Sequence, residues 1–149
     1  LIRTLFFAKL FCIILSEKNC FTMQHHALTH QIIGAAMEVH SFLGNGFQEV
    51  IYQRSLAHEL SLRGISYARE VEMEVLYKEA HVGTRRVDFL IEGIISTELK
   101  AVIKLEDVHL AQGLNYLEAY NLEVGLLLNF GAIRLEYKRL LNRKYKQLS

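Results

Sequence analysis

The sequence predicts an α/β domain, a mixed β-sheet with helices on its faces. Three observations predict it. The hydrophobic period is helical from Thr29 to Leu62, changes to two over Ile65–Tyr77, and turns helical again after Leu105. Two apolar runs on either side of Glu92-Gly93 read as consecutive strands. An almost wholly apolar run, Glu123 to Phe130, follows the later helix, as expected of a strand covered on both faces. Apolar residues make up 51% of the 149, which is ample for one core, and no stretch is low in complexity, so disorder is not expected beyond the ends. The element order is α-α-β-β-β-α-β-β, in which a three-strand meander followed by a crossover helix produces the mixed sheet.

Each element has a local reason. Thr29 is placed to cap a helix reaching about Phe42, with Ile32, Ala35, Ala36, Val39 and Leu43 on one stripe, and Gly44-Asn45-Gly46 ends it. A second helix, about Gln48 to Leu62, turns Ile51, Leu56 and Leu60 inward, and Gly64 stands where a left-handed C-terminal cap belongs. In the first strand Ile65, Tyr67, Val71, Met73 and Val75 alternate with polar residues. Lys78-Glu79-Ala80 turns the chain, Val82 to Ile91 is the second strand, and Ile94 to Val102 is the third. Leu105 to Tyr120 is an amphipathic helix with Val108, Ala111, Leu114 and Leu117 inward, stopped by Asn121. After the apolar fourth strand, Asn129-Phe130-Gly131 turns into a last strand, Ala132 to Tyr137, with a helical tail beyond.

Residues 1–22 differ from the rest. Leu5 to Leu15 is an apolar run broken by Lys9 and preceded by Arg3; it has the look of a short signal-peptide core but falls short of the roughly 20 residues of a membrane span. No small-residue cleavage site follows it, and Met23 stands just before the first helical pattern. The expected division is an extension over 1–22 outside the fold and one domain over 23–149; an N-terminal helix packed on the domain is the alternative. Both cysteines, Cys12 and Cys20, fall in the extension, which leaves the domain without disulfides or thiolate metal sites and fits a cytoplasmic location. The net charge of +1 becomes −1 without the extension, which carries three basic residues and one acid. Balanced charge argues against broad nonspecific nucleic-acid binding. The C-terminal end is locally basic, with Arg134, Lys138, Arg139, Arg143, Lys144 and Lys146 against Glu136, a set that either touches phosphates or forms a solvated face.

The chemistry concentrates in Asp88 and in Glu98-Leu99-Lys100, which follow it across the Glu92-Gly93 turn. Strand side chains alternate, so Glu98 and Lys100 share a face while Leu99 points to the core. If the two runs pair as a hairpin, Asp88 lies close to both. Two carboxylates and an ammonium on one patch suit metal-assisted phosphodiester hydrolysis, the acids holding a hard divalent cation and the lysine steadying or deprotonating the attacking water. A surface ion-pair cluster is the plainer reading, but charges on a mid-sheet strand flanked by apolar runs cost desolvation unless they bind something. Glu49 opens the second helix, where an acid also suits the helix dipole. Gln112 and Tyr116 share a face of the later helix, placed either to reach a phosphate or Lys100, or as boundary and core residues. His26 and His30 have metal-ligand spacing without a third ligand, and His109 stands one turn before Gln112.

From Leu28 to Asn142 the chain resembles the GxxExxY family, a branch of the PD-(D/E)xK nuclease-like superfamily. The name motif is Gly46, Glu49 and Tyr52; Val39-His40, Leu43-Gly44, Glu59-Leu60, Arg63-Gly64, Tyr77-Lys78, Asp88, Glu98-Leu99-Lys100-Ala101, Gln112, Asn115-Tyr116-Leu117 and Gly125 to Gly131 match the remaining pattern in order. Val87 stands where the superfamily name has Pro. The resemblance implies a restriction-endonuclease-like core, α-β-β-β-α-β. It implies Asp88 and Glu98 as metal-binding acids, the Leu99 carbonyl as a third ligand, Lys100 as the lysine that helps activate water, and Glu49 as the helix acid some relatives add. Gln112 and Tyr116 resemble the Q-x-x-x-Y element of the RecB-like branch, and with Tyr52 they are expected at the substrate. The expected activity is Mg²⁺- or Mn²⁺-dependent phosphodiester hydrolysis on DNA. The alternative is a binding module on a nuclease-like scaffold, recognising nucleic acid or a protein without cutting. A nucleic-acid partner is expected, with room for a protein partner or a homo-oligomer, and no membrane association.

Overall fold

The structure, a computed structural model, describes residues 25–147; the expected extension over 1–22, with Cys12 and Cys20, lies outside the described residues. Helix α1 covers 25–43 and α2 Glu49–Leu62. They are followed by β1 (Tyr67–Tyr77), β2 (Ala80–Ile91), β3 (Ile95–Lys100), α3 (Asp107–Ala119), β4 (Val124–Asn129) and β5 (Glu136–Leu141). The strands form one mixed sheet in the order β1-β2-β3-β4-β5. Hairpin-linked neighbours pair antiparallel, whereas β3 and β4 run parallel because α3 crosses over between them. This is the α/β architecture expected of a restriction-endonuclease-like fold, with β3 at the centre of the sheet.

Each face has its own helical layer. Ile32, Ala36, Leu56 and Leu60 of α1 and α2 pack on Phe89, Ile95, Leu99, Leu126 and Leu128. On the other face Leu117 of α3 packs with Leu127 and Leu140. Covered from both sides, β4 is buried along its whole length, as its unbroken apolar run requires.

Most boundaries shift by one or two residues from the sequence expectation, and two depart further. Thr29 does not cap α1; it lies inside the helix, its hydroxyl donating to the His26 carbonyl at 2.9 Å. The last strand is Glu136–Leu141 rather than Ala132–Tyr137, and no helical tail follows it among the described residues. Asn129 is the reason. Its Oδ1 accepts from the Val102 and Gly131 amides (3.0 and 3.1 Å), and its Nδ2 donates to Glu136 (2.8 Å). These bonds hold 131–135 as a loop and start the β4–β5 pairing at Asn129 opposite Glu136. Beyond β5, Asn142 turns the chain back by donating to the Leu117 and Leu122 carbonyls.

One irregularity positions the site. The β2–β3 ladder stops at Phe89 opposite Thr97, while β1 and β2 continue together to their turn as a two-stranded ribbon. Phe89 packs on the α1–α2 layer, yet Val87, of the same strand parity, packs with Met73 and with Tyr116 of α3. The ribbon therefore turns over between them. Glu70, between the Arg69–Phe89 and Val71–Val87 pairs, takes a φ of 51°, a left-handed conformation that breaks the regular pleat. Asp88 stands at that pivot.

Candidate active site

Where β2 peels away from β3, the Leu99 amide has no ladder partner on β2, and the carboxylate of Asp88 takes its place: Oδ2 accepts the Leu99 N–H at 2.7 Å. The other oxygen, Oδ1, accepts from Nε2 of Gln53 at 2.9 Å. Gln53 is four residues after Glu49 on α2, so the two share a face directed at Asp88. On β3 the alternation holds as expected. Leu99 is fully buried in the core, Glu98 is only 8% exposed, and Lys100 is half-buried at the strand end.

The electrostatics show that these groups meet. Burial pushes the Glu98 carboxyl up to about 7; the charge of Asp88 adds to this, Lys100 and Arg85 oppose it, and Glu49 raises it further. Asp88 is also raised, first by burial, against the Leu99 hydrogen bond and the Lys100 charge. Glu49 is raised by burial, with Lys100 opposing and Asp88 adding. Three carboxylates from α2, β2 and β3 thus share one field with a single ammonium, the arrangement expected of a functional cleft.

Glu98 Oε1 is buried and has no hydrogen-bond partner among the described residues. A carboxylate in that state is costly unless a proton or a cation sits against it. The donors at hand, carboxylate oxygens, are those that hard Mg²⁺ or Mn²⁺ prefers. Among the described residues no three His, Cys, Asp or Glu side chains are grouped closely enough to hold an ion. Asp88 and Glu98 fit such a cation as a partial donor set, the remaining positions falling to water and phosphate, as Mg²⁺ favours.

The other expected site residues separate. Tyr52 is fully buried. Its hydroxyl donates to the Gly44 carbonyl at 2.7 Å and accepts from the Phe47 amide at 3.2 Å, and its ring stacks on Phe130 at 4.7 Å. It latches the Gly44–Phe47 loop to the start of α2, and so sets where Glu49 begins. Tyr116 is also buried, donating to the Arg86 carbonyl at 2.7 Å under the Arg85 guanidinium, 4.3 Å from the ring centroid. Burial and then the Glu98 charge push its hydroxyl up to about 12, so it keeps its proton and holds the ribbon to α3. Gln112 is half-buried one turn earlier, with no hydrogen bond among the described residues. His109 is used in the α3 capping box with Glu106. Sequence reasoning missed Gln53 and Arg85. The four-residue step from Glu49 was the available signal for Gln53; Arg85 had none beyond its proximity to Asp88.

Residues 26–140 match the family model described as the PD-(D/E)XK nuclease superfamily. No curated protein sequence matches the chain. Among solved structures it is similar to one described as "Crystal structure of SSO0001", with a TM-score of 0.53 and 20% identity, over 63% of this chain and 50% of that one. The chain thus corresponds to about half the length of that protein, and at this identity the likeness concerns the fold alone.

Proposed function

The chain belongs to the PD-(D/E)XK nuclease superfamily, and on that premise we propose that it is a metal-dependent nuclease hydrolysing phosphodiester bonds in DNA. We place it in the GxxExxY branch on Gly46, Glu49 and Tyr52, with residues 23–149 as the domain. The observation that carries the reading is the orphaned, buried oxygen of Glu98 beside Asp88 and Lys100.

In this reading Asp88 and Glu98 hold the cation, with the Leu99 carbonyl as a third ligand. A bound Mg²⁺ or Mn²⁺ supplies positive charge for the phosphate and makes a nearby water more acidic. Gln53 and the Leu99 amide fix both oxygens of Asp88, so its orientation is set before substrate arrives. Lys100 holds the attacking water or takes its proton, and Glu49 faces it across the cleft. The water adds to phosphorus, the opposite P–O bond breaks, and the departing oxygen takes a proton from solvent. Gln112 reaches the substrate phosphate from α3.

The competing reading is a module that binds nucleic acid or a protein without cutting. The near-neutral charge of the chain favours it. The test is cleavage of DNA, with RNA alongside, in Mg²⁺ or Mn²⁺. Loss of cleavage in Asp88→Ala and in Lys100→Ala supports the nuclease. Full activity in both variants overturns the site, and no cleavage by the unaltered protein leaves the binding module.

A further inference from the structure

Burial marks out two cations. Among the described residues every Lys and Arg is exposed except Arg85 and Lys100, which are half-buried. Both lie at the cleft, where the charge of each opposes the rise of the Glu98 carboxyl. Lys100 has its part in the proposed reaction, and Arg85 has none. Its neighbour Arg86 is exposed and is taken by Glu70 and Glu72 at 3.6 and 3.5 Å. Arg85 instead lays its guanidinium over the Tyr116 ring, 4.3 Å from the centroid. Apart from Tyr116, its side chain has no hydrogen-bond or ion-pair partner among the described residues. The ring is fixed in turn, since the Tyr116 hydroxyl donates to the Arg86 carbonyl at 2.7 Å. Tyr116 thus holds both the strand that carries Arg85 and the plane of its guanidinium.

We propose that Arg85 is the phosphate-binding residue of the cleft, held by Tyr116 with its planar face on the ring and its N–H edge presented to a backbone phosphate of the nucleic acid. The inference rests on the nuclease reading. A guanidinium covered on one face keeps its donors in plane, at the edge, and half-buried donors need acceptors. Glu98 is not that acceptor: it feels the charge but makes no ion pair with it, and one of its oxygens has no partner among the described residues. The two non-bridging oxygens of a phosphodiester match the guanidinium fork. Charge sets the order of events. Fully ionised, Glu49, Asp88 and Glu98 outnumber Lys100 and Arg85 by one, which repels an anion. A divalent charge on the carboxylates reverses the sign, and Arg85 is then the cation at the cleft that neither the metal nor the attacking water uses.

The test is fluorescence anisotropy with a labelled DNA oligonucleotide in Mg²⁺, in a Lys100→Ala background so that nothing is cut, beside calorimetric titration with Mn²⁺ alone. Arg85→Ala is expected to weaken oligonucleotide binding about tenfold and to lower the slope of log K against log salt by about 1. Arg85→Lys is expected to keep the slope and recover only part of the affinity, because an ammonium lacks the planar fork. Tyr116→Leu is expected to weaken binding when Arg85 is present and to add little on top of Arg85→Ala. Mn²⁺ affinity is expected to hold or rise in Arg85→Ala, since a charge opposing the cation is removed. Unchanged oligonucleotide binding in Arg85→Ala overturns the assignment and leaves the nuclease reading standing. Loss of Mn²⁺ binding in that variant makes Arg85 a support for the carboxylates and also overturns it. Equal losses from Tyr116→Leu with and without Arg85 overturn the positioning role of Tyr116. No binding by the Lys100→Ala protein, with no cleavage by the unaltered one, overturns both readings.

Discussion

Replacing Glu98 by Gln removes an ionisable group that the fold buries with one oxygen orphaned. Its ordinary value is 4.5 and its folded value is pushed up to about 7. Below pH 4.5 the carboxyl is protonated both folded and unfolded and adds no pH dependence. Between 4.5 and about 7 the unfolded chain releases a proton that the folded chain keeps, so stability falls as pH rises, and above about 7 the loss is complete. A gap of about 2.5 pH units corresponds to about 3 kcal/mol, on the order of 10 °C in Tm for a domain this size. Gln cannot ionise. Measured without metal, Glu98→Gln is therefore expected to match the unaltered protein near pH 4 and to exceed it by about 3 kcal/mol at pH 8. Asp88 and Glu49 are raised by burial as well and are coupled by charge to Glu98, so the difference between the two curves reports Glu98 together with its effect on these two neighbours. The assay is urea unfolding followed by circular dichroism in EDTA across that range. A difference that does not change with pH, or a variant less stable than the parent at pH 8, refutes the reasoning.

Other expectations follow from single contacts. Tyr52→Phe strands the Gly44 carbonyl and is expected to cost about 1–3 kcal/mol in urea unfolding, with a matching loss of order in the Gly44–Phe47 loop by amide exchange. Gly131→Ala drives a methyl into fixed backbone, whereas Gly113→Ala meets only the end of the Leu140 side chain; the first is expected to be the more destabilising in thermal unfolding, and equal costs would contradict this packing. Gln53→Leu unties one oxygen of Asp88 and is expected to weaken metal affinity about 10- to 100-fold, measured by calorimetry, with little loss of fold.

Much of the fold was legible in periodicity, but not the buried face of α3, where Val108 and Ala111, expected inward, are exposed and Gly113 and Tyr116 are buried beside Leu117. The change of period at Ile65, the apolar run of β4 and the positive-φ glycines at Gly44 and Gly64 fall where the residues placed them. The alternation of Glu98, Leu99 and Lys100 was legible because a strand permits only two faces. The ends of elements were less so. Nothing local in Ala132–Tyr137 announces that Asn129 will spend its side chain on a loop and delay the last strand to Glu136. The site was legible as residue types but not as roles. Tyr52 and Tyr116 carry motif positions, yet whether a tyrosine faces a ligand or a backbone carbonyl depends on packing between distant elements, Gly44 in one case and Arg86 in the other. Gln53 escaped because glutamines on helices are common and only the pivot at Asp88 gives this one a partner.

The most direct measurement is calorimetric titration of the metal-free protein with Mn²⁺ at pH 7, repeated in buffers of different ionisation enthalpy. Glu98 is near its midpoint there, so binding between Asp88 and Glu98 should release a fraction of a proton, and both Asp88→Ala and Glu98→Ala should abolish the heat. No binding at millimolar Mn²⁺, or unchanged binding in Glu98→Ala, would contradict the assignment of these carboxylates to a cation.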